Sequence, residues 1–216
     1  MWQTPIVYHI YAWACERLYH ELAWVYDLVA WVVSLGRWGA WRRLALDALP
    51  DDGRRVLELG FGTGAFLAEM AQTGRPVVGL DASQPMLRIA ARRLATQGLS
   101  APCVQGVGQK LPFSDNAFIA VISTFPAAYI LAPETLSECR RVLCPQGRLV
   151  IVGLWVTPVN RLLRSFLPFF FGAPSPALTM SIRKTLGDAN FSEIRCENRN
   201  AGWVSVGVII ASRSAS

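Results

Sequence analysis

Charge is scarce in this chain. Charged residues make up 17% of its 216 positions, and the mean hydropathy is +0.31, a composition that argues against a mainly disordered chain. With 52% hydrophobic residues the chain can bury one substantial core, in one domain with an appendage. No Lys/Arg run exceeds two residues, so no nucleic-acid groove is expected. The net charge of +6 supports only a mild attraction to anionic surfaces. Its distribution is uneven: residues 1–50 carry four basic and four acidic groups, residues 151–216 seven and three.

Long apolar runs are missing too. Asp27 interrupts the longest early one, which falls short of the roughly 18 residues that a spanning helix needs, so no transmembrane helix is expected. No basic flank, apolar core and small-residue cleavage site open the chain, so it does not read as exported. The five cysteines (Cys15, Cys103, Cys139, Cys144 and Cys196) form no CxxC pair. Their odd number argues against a closed disulfide framework, and the expectation is reduced thiols in a cytoplasmic protein. The spacing of Cys139 and Cys144 is weak as a zinc pattern, and no metal is expected.

From Arg54 onward, strand-length apolar runs alternate with helix-period segments: "RRVLEL" then "GAFLAEMAQTG", "PVVGLD" then "PMLRIAARRLATQG", a short "PCVQG", "AFIAVIST" then "APETLSECRRVLCPQG", and "RLVIVGL". Continuous Val/Ile/Leu runs separated by helices predict a doubly wound α/β domain with a mostly parallel sheet. Pro145-Gln146-Gly147 is expected to break the chain before the last parallel strand. "SIRKTLGDANF" predicts a further helix. "SEIRCEN" and "WVSVGVIIAS", with a polar turn at Arg199-Asn200, predict a hairpin that adds one antiparallel strand. Residues 1–49 form a separate helical, tryptophan-rich cover to a domain over 50–216, and the apolar, proline-punctuated segment 157–178 is an insert within it.

The stretch "VLELGFGTGAFL" places Gly60, Gly62 and Gly64 between strand and helix, and Asp81 ends the next strand 21 residues after Gly60. That architecture holds a nucleoside at the carboxyl edge of a sheet, with the acid on the ribose hydroxyls. Asp81 has a second reading, as the cap of the helix that begins near Ser83. Ala65 stands where a dinucleotide fingerprint has its third glycine, which spacing tolerates. Glu58 is less usual beside a diphosphate and favours a phosphate-free cofactor with a cationic amino group. No Gly-Lys-Ser/Thr follows, so the Walker pattern is absent.

"VLELGFGTG", "VVGLDASQPMLRIAARRL", "LPFSDNAFIAVIST" and "RRVLCPQGRLVIVG", in that order over roughly residues 54–155, resemble the class I S-adenosylmethionine-dependent methyltransferases. The terminal "TLGDANFSEIRCENRNAGWVSVGVIIASR" is similar to the family's last helix and hairpin. The resemblance implies a Rossmann-like, seven-stranded sheet and S-adenosylmethionine as cofactor. Glu58 and Gly60, Gly62 and Gly64 would border the methionine part, Asp81 the ribose, Ala82 and Met86 the adenine, and Thr124 the methyl. Val107 and Gly108 would lie in the adenine-facing loop. There the family carries an acid on the adenine amino group; here Val107 takes its place, so a backbone carbonyl, Gln105, Gln109 or apolar packing must substitute. A sulfonium methyl is already activated, so alignment and exclusion of water suffice and no catalytic triad is expected.

Six of the eight tryptophans fall in the first 41 residues. On a continuous helix Trp13, Trp24, Trp31 and Trp38 would share one stripe, at about 100° per residue, although Gly36 predicts a break. Such a stripe suits a membrane surface or a lipophilic acceptor, and equally a helix packed on its own domain. "YDLVAWVVSLGRWGAWRRLALDALP" resembles the segment before the cofactor turn in the quinone-ring C-methyltransferases of ubiquinone and menaquinone synthesis. A similar "YDL" opens bacterial phosphatidylethanolamine N-methyltransferases. By that resemblance Tyr26 would close over the cofactor, while Tyr19, His20, Phe125 and Tyr129 would touch the acceptor; His20 reads more readily as an ordinary partly buried histidine. The expectation is methyl transfer to a small lipophilic acceptor such as a quinone precursor, from the cytoplasm at the inner face of the membrane. A lipid head-group N-methyltransferase and a non-catalytic cofactor-binding module stay open.

Overall fold

The structure, a computed structural model, describes residues 26–159 and 174–214. Tyr19, His20, Trp2, Trp13, Trp24, Cys15 and most of the apolar insert lie outside them. Seven strands, β1 (Val56–Leu59), β2 (Val77–Asp81), β3 (Cys103–Gln105), β4 (Phe118–Thr124), β5 (Leu143–Pro158), β6 (Phe191–Asn200) and β7 (Val204–Arg213), form one sheet in the order β3-β2-β1-β4-β5-β7-β6. β1 to β5 pair in parallel, and β7 enters antiparallel between β5 and β6. Strand order reverses between β1 and β4, the place where ligands lodge in open α/β sheets.

Six α-helices are described: α1 (Tyr26–Ser34), α2 (Trp38–Arg43), α3 (Ala65–Gln72), α4 (Gln84–Thr96), α5 (Pro133–Val142) and α6 (Pro176–Asp188). Successive strand residues point to opposite faces, and the two faces bury different sets. Val56, Ile122, Val150, Val206 and Val208 pack with Trp41, Phe66, Leu67 and Ala90, from α2, α3 and α4. Leu57, Leu59, Val121, Ile151 and Ile209 pack with Leu136, Cys139, Ile182 and Leu186, from α5 and α6. Burial on both faces explains why the strands read as unbroken apolar runs.

Local signals start the helices. Ser83 caps α4, its hydroxyl accepting from the Met86 amide at 3.4 Å, and Pro85 sits in the first turn. Ser175 caps α6 in the same way, accepting from Leu178 at 3.0 Å, so that helix opens five residues before the expected segment. The break at Gly36 is present, with Leu35 and Gly36 both at positive φ. It separates the tryptophans: Trp31 is 61% exposed and Trp41 fully buried, while Trp38 stacks on Phe125. The described part of the stripe is therefore no stripe.

Two strand limits differ from expectation. β5 runs through Pro145-Gln146-Gly147, because pairing with β4 begins at Phe118 with Leu143 and resumes at Ala120 with Arg148; the irregular residues are absorbed as a bulge. The hairpin turn lies at Ala201–Trp203, past Arg199-Asn200, since both of those still pair with β7. Thr157 and Pro158 end β5, and Pro176–Leu178 open α6.

The crossing of α3 over α4 depends on one missing side chain. Gly64, at φ 70° before α3, would place a Cβ 2.5 Å from the Ala90 Cβ. Gly64→Ala should lower stability by roughly 1–3 kcal/mol, from left-handed strain and overpacking together. Urea denaturation reads this as a reduced midpoint; an unchanged midpoint would mean the helices separate freely.

Candidate active site

The loops after β1, β2 and β3 converge on Asp81, which is 7% exposed. Its Oδ2 accepts the Gly62 amide and its Oδ1 the Ser83 amide, both at 2.8 Å, and its carbonyl accepts the Gly106 amide at 3.0 Å. Of its two sequence readings, the cap belongs to Ser83; Asp81 instead ties the glycine turn to the start of α4. Gly60 continues the ladder, its amide donating to Leu80 at 2.7 Å. The turn has room on its outer side: a Cβ at Gly62 would meet nothing within 4 Å.

Glu58 stands two residues before this turn, 1% exposed. Its Oε2 is buried with no hydrogen-bond partner among the described residues. Burial, reinforced by the carboxylates of Asp81 and Glu69 and opposed by Arg42, pushes its pKa up to about 8. A buried carboxyl so placed favours a neutral form and awaits a cation.

The far wall comes from β4 and the turn after it. The Ser123 hydroxyl donates to the Leu59 carbonyl at 2.7 Å. The Tyr129 hydroxyl bonds Ser123, and its phenol is held above its ordinary pKa by burial. A Cβ at Gly60 would lie 2.5 Å from that hydroxyl, and one at Gly108 would lie 3.3 Å from the Tyr129 ring, so the absence of side chains at both glycines admits Tyr129. Thr124 ends β4. Phe125 follows at φ 50° and stacks on Trp38 with centroids 4.1 Å apart. Non-glycine residues in that region carry strain of about 1–3 kcal/mol, and such residues cluster at sites.

The structure thus brings Glu58, Gly60, Gly62, Gly64, Asp81, Gly108, Thr124, Phe125 and Tyr129 to one edge of the sheet. Ala82 is exposed at the start of α4, and Met86 is fully buried beneath it. Val107 is 49% exposed in a turn that bonds Lys110 back to its carbonyl at 3.2 Å. Gln105 donates to the Ala82 carbonyl. Tyr26 is the first residue of α1. Sequence reasoning missed Thr63, Arg93 and Ser123. It noticed Asp27 only as a break in an apolar run, although a lone acid in an apolar helix was the available signal.

A depression of about 420 Å³ opens at the opposite, amino edge of the sheet, lined by Asp52, Arg54, Arg148 and Arg213 among others. Its charges are already engaged: Arg54 pairs with Asp52 and Arg213 with the Leu143 carbonyl. Among the described residues no group of three or more His, Cys, Asp or Glu is placed to hold a metal.

The family of methyltransferase domains matches residues 56–147. The demethylmenaquinone methyltransferase of Paenarthrobacter aurescens is 32% identical over 213 residues, covering 88% of this chain and 83% of that one. This chain belongs to the class I S-adenosylmethionine-dependent methyltransferases. The demethylmenaquinone methyltransferase of Thermus thermophilus is 39% identical over 139 residues, a span of 62% of the methyltransferase described here and 63% of the relative's length. In fold, the methyltransferase is similar to phosphoethanolamine N-methyltransferase 2 of Haemonchus contortus solved with S-adenosyl-L-methionine: TM-score 0.60, 18% identity, 82% of this chain and 52% of that one. S-adenosylmethionine is the cofactor. The residues fit it, with open space at Gly62 and a buried, unpartnered carboxyl oxygen at Glu58.

The raised pKa of Glu58 makes stability depend on pH. The folded protein holds this proton up to about pH 8, whereas the unfolded chain releases it near the ordinary 4.5. Between those values the folded state binds more protons, so its stability falls as pH rises. Glu58→Gln removes the ionisation. Its stability relative to the parent should therefore climb by about 1–4 kcal/mol between roughly pH 5 and 8, at about 1.4 kcal/mol per unit of pKa shift. Denaturant melts across that range check this; parallel curves would place Glu58 in water.

Proposed function

We propose that this methyltransferase acts on a small lipophilic acceptor, the ring of a demethylated quinone precursor. What carries the reading is the extent of its similarity to relatives named demethylmenaquinone methyltransferase, which spans 88% of the chain in the Paenarthrobacter case. In this reading Asp81 takes the ribose hydroxyls, the backbone of Gly60, Gly62 and Gly64 gives close approach to the methionine part, and Ala82, Met86, Val107 and Gly108 surround the adenine. Glu58 is the counter-charge for the amino group and becomes ionised opposite it, releasing its proton to solvent. In the same reading Tyr26 closes over the cofactor and Phe125 and Tyr129 touch the acceptor near Thr124, while Tyr19 and His20, outside the described residues, stay candidates for acceptor contact.

S-adenosylmethionine supplies a methyl on a sulfonium, which needs no further activation. The residues around it have two tasks: holding the acceptor in line at near-attack distance and keeping water away. A phenolate-like ring carbon presents its own electron density, so no strong base is required. Tyr129, its proton held by burial and donated to the Ser123 hydroxyl, is a neutral group at this wall.

Labelled methyl donor with a demethylated naphthoquinol, kept reduced so that its ring carbon is nucleophilic, should give a ring-methylated product, S-adenosylhomocysteine and a proton released to solvent. Phosphatidylethanolamine as acceptor should give none. Label in the lipid amine instead would replace this reading with head-group N-methylation, and binding without turnover of either would make the chain a cofactor-binding module.

We further propose that α1 rests on the cytoplasmic face of a membrane, from which such an acceptor would be drawn. Leu28, Trp31, Val32 and Leu35 are each more than half exposed, an apolar row that water disfavours and a lipid interface accepts. No helix among the described residues is long and apolar enough to cross a membrane. The intact protein should float with anionic liposomes, and Leu28→Glu with Trp31→Glu should abolish flotation while leaving the melting temperature unchanged. Flotation undiminished in the double variant would move the contact elsewhere.

A further inference from the structure

Thr63 sits between two glycines of the cofactor turn and is 3% exposed, and both its hydroxyl and its carbonyl are held by other elements. The hydroxyl donates to Asp27 Oδ1 at 2.7 Å. Arg93 reaches in from α4, its Nη1 donating to the Thr63 carbonyl and hydroxyl, each at 3.0 Å. The same guanidinium closes the ring through Nη2 to Asp27 Oδ2 at 2.5 Å. One carboxylate on α1 and one guanidinium on α4 therefore grip the residue at the middle of the turn.

Among the described residues, little else polar holds α1. Its Ser34 hydroxyl bonds a carbonyl of the same helix, and Leu28, Val29, Trp31 and Val32 are exposed. Asp27 is the second residue of that helix, adjacent to Tyr26. Where this carboxylate goes, the start of α1 must follow.

We infer that Asp27, Thr63 and Arg93 form a latch that seats α1 on the cofactor turn and couples its seating to cofactor occupancy, with Asp27 and Arg93 as positioning residues. The inference rests on the proposed use of the turn as the cofactor's cradle. The latch fixes the peptide unit after Thr63 through its carbonyl, and the Thr63 side chain through its hydroxyl, in the middle of the turn that this reading gives to the cofactor. Any ligand that favours this turn shape favours a seated α1 by the same factor, because coupling between two equilibria is reciprocal. The ion pair is partly exposed, 24% at Arg93 and 44% at Asp27, and such pairs add little to global stability. Breaking it should loosen one helix without unfolding the domain.

The test measures S-adenosylhomocysteine affinity by calorimetry together with amide hydrogen exchange of residues 26–34. In the parent protein the ligand should bind and slow exchange in α1. Asp27→Asn and Arg93→Gln should each weaken binding about tenfold, the size of one lost charge-assisted hydrogen bond, and remove the ligand's protection of α1. The double variant should be no weaker than either single one, since both break the same latch. If Asp27→Asn does not fold, Arg93→Gln carries the same comparison. Variants that bind as tightly as the parent, or whose α1 is still protected by ligand to the parent's degree, overturn the latch while leaving the cofactor reading intact. A parent protein that does not bind the ligand overturns both.

Discussion

Everything at the working edge of this protein hangs on the carboxylate of Asp81. One residue at the end of β2 receives the amide of Gly62 from the loop after β1, the amide of Ser83 at the start of α4, and, through its carbonyl, the amide of Gly106 after β3. Three loops separated by tens of residues are thereby held in one arrangement. The short carboxylate reaches the Gly62 and Ser83 amides, while the Gly106 amide is held by the backbone; a longer or neutral side chain would leave those two buried amides unpaired, at about 1–3 kcal/mol for each.

The second constraint opposes stability. Glu58 is buried in the middle of a sheet face otherwise made of Val, Ile and aromatic side chains, and its raised pKa records the desolvation. An apolar residue would pack there at no such cost. Polar groups kept in cores against their own desolvation are candidates for functional positions. Glu58 adjoins a turn whose open side is free of side chains, so the cost falls where a charged ligand group can offset it.

The cover is built differently from the sheet. Trp38 stacks on Phe125, and Trp41 lies within ring contact of Trp38, Phe125 and Trp203. Phe125 is the strained residue that follows β4, so this aromatic cluster clamps the exit of that strand beneath α2. Arg199 adds a hydrogen bond to the Leu44 carbonyl from the distant β6. α2 is thus fixed to the domain by aromatic packing, whereas the described polar fastening of α1 is a single ring of hydrogen bonds.

The order of strands and helices was legible because burial on both sheet faces demands continuous apolar runs, and those runs are visible in "VLEL", "VVGL", "FIAVIS" and "LVIVGL". The glycine turn, Glu58 and Asp81 were legible as well, since fixed spacings carry them. The tryptophans were not, because a helical period says which residues share a face and not where a helix is interrupted. Positive φ at Leu35 and Gly36 sends Trp31 to solvent and Trp41 to the core. Pairing likewise decided that β5 runs through Pro145-Gln146-Gly147, because β4 pairs on both sides of the local turn signal, at Leu143 and again from Arg148. Sequence by itself determined the fold class and the residues of the turn, both local in origin. Only the tertiary structure joined Asp27 to Thr63 and Arg93, because contacts across 36 and 66 residues of sequence exist only once the sheet has set their distance.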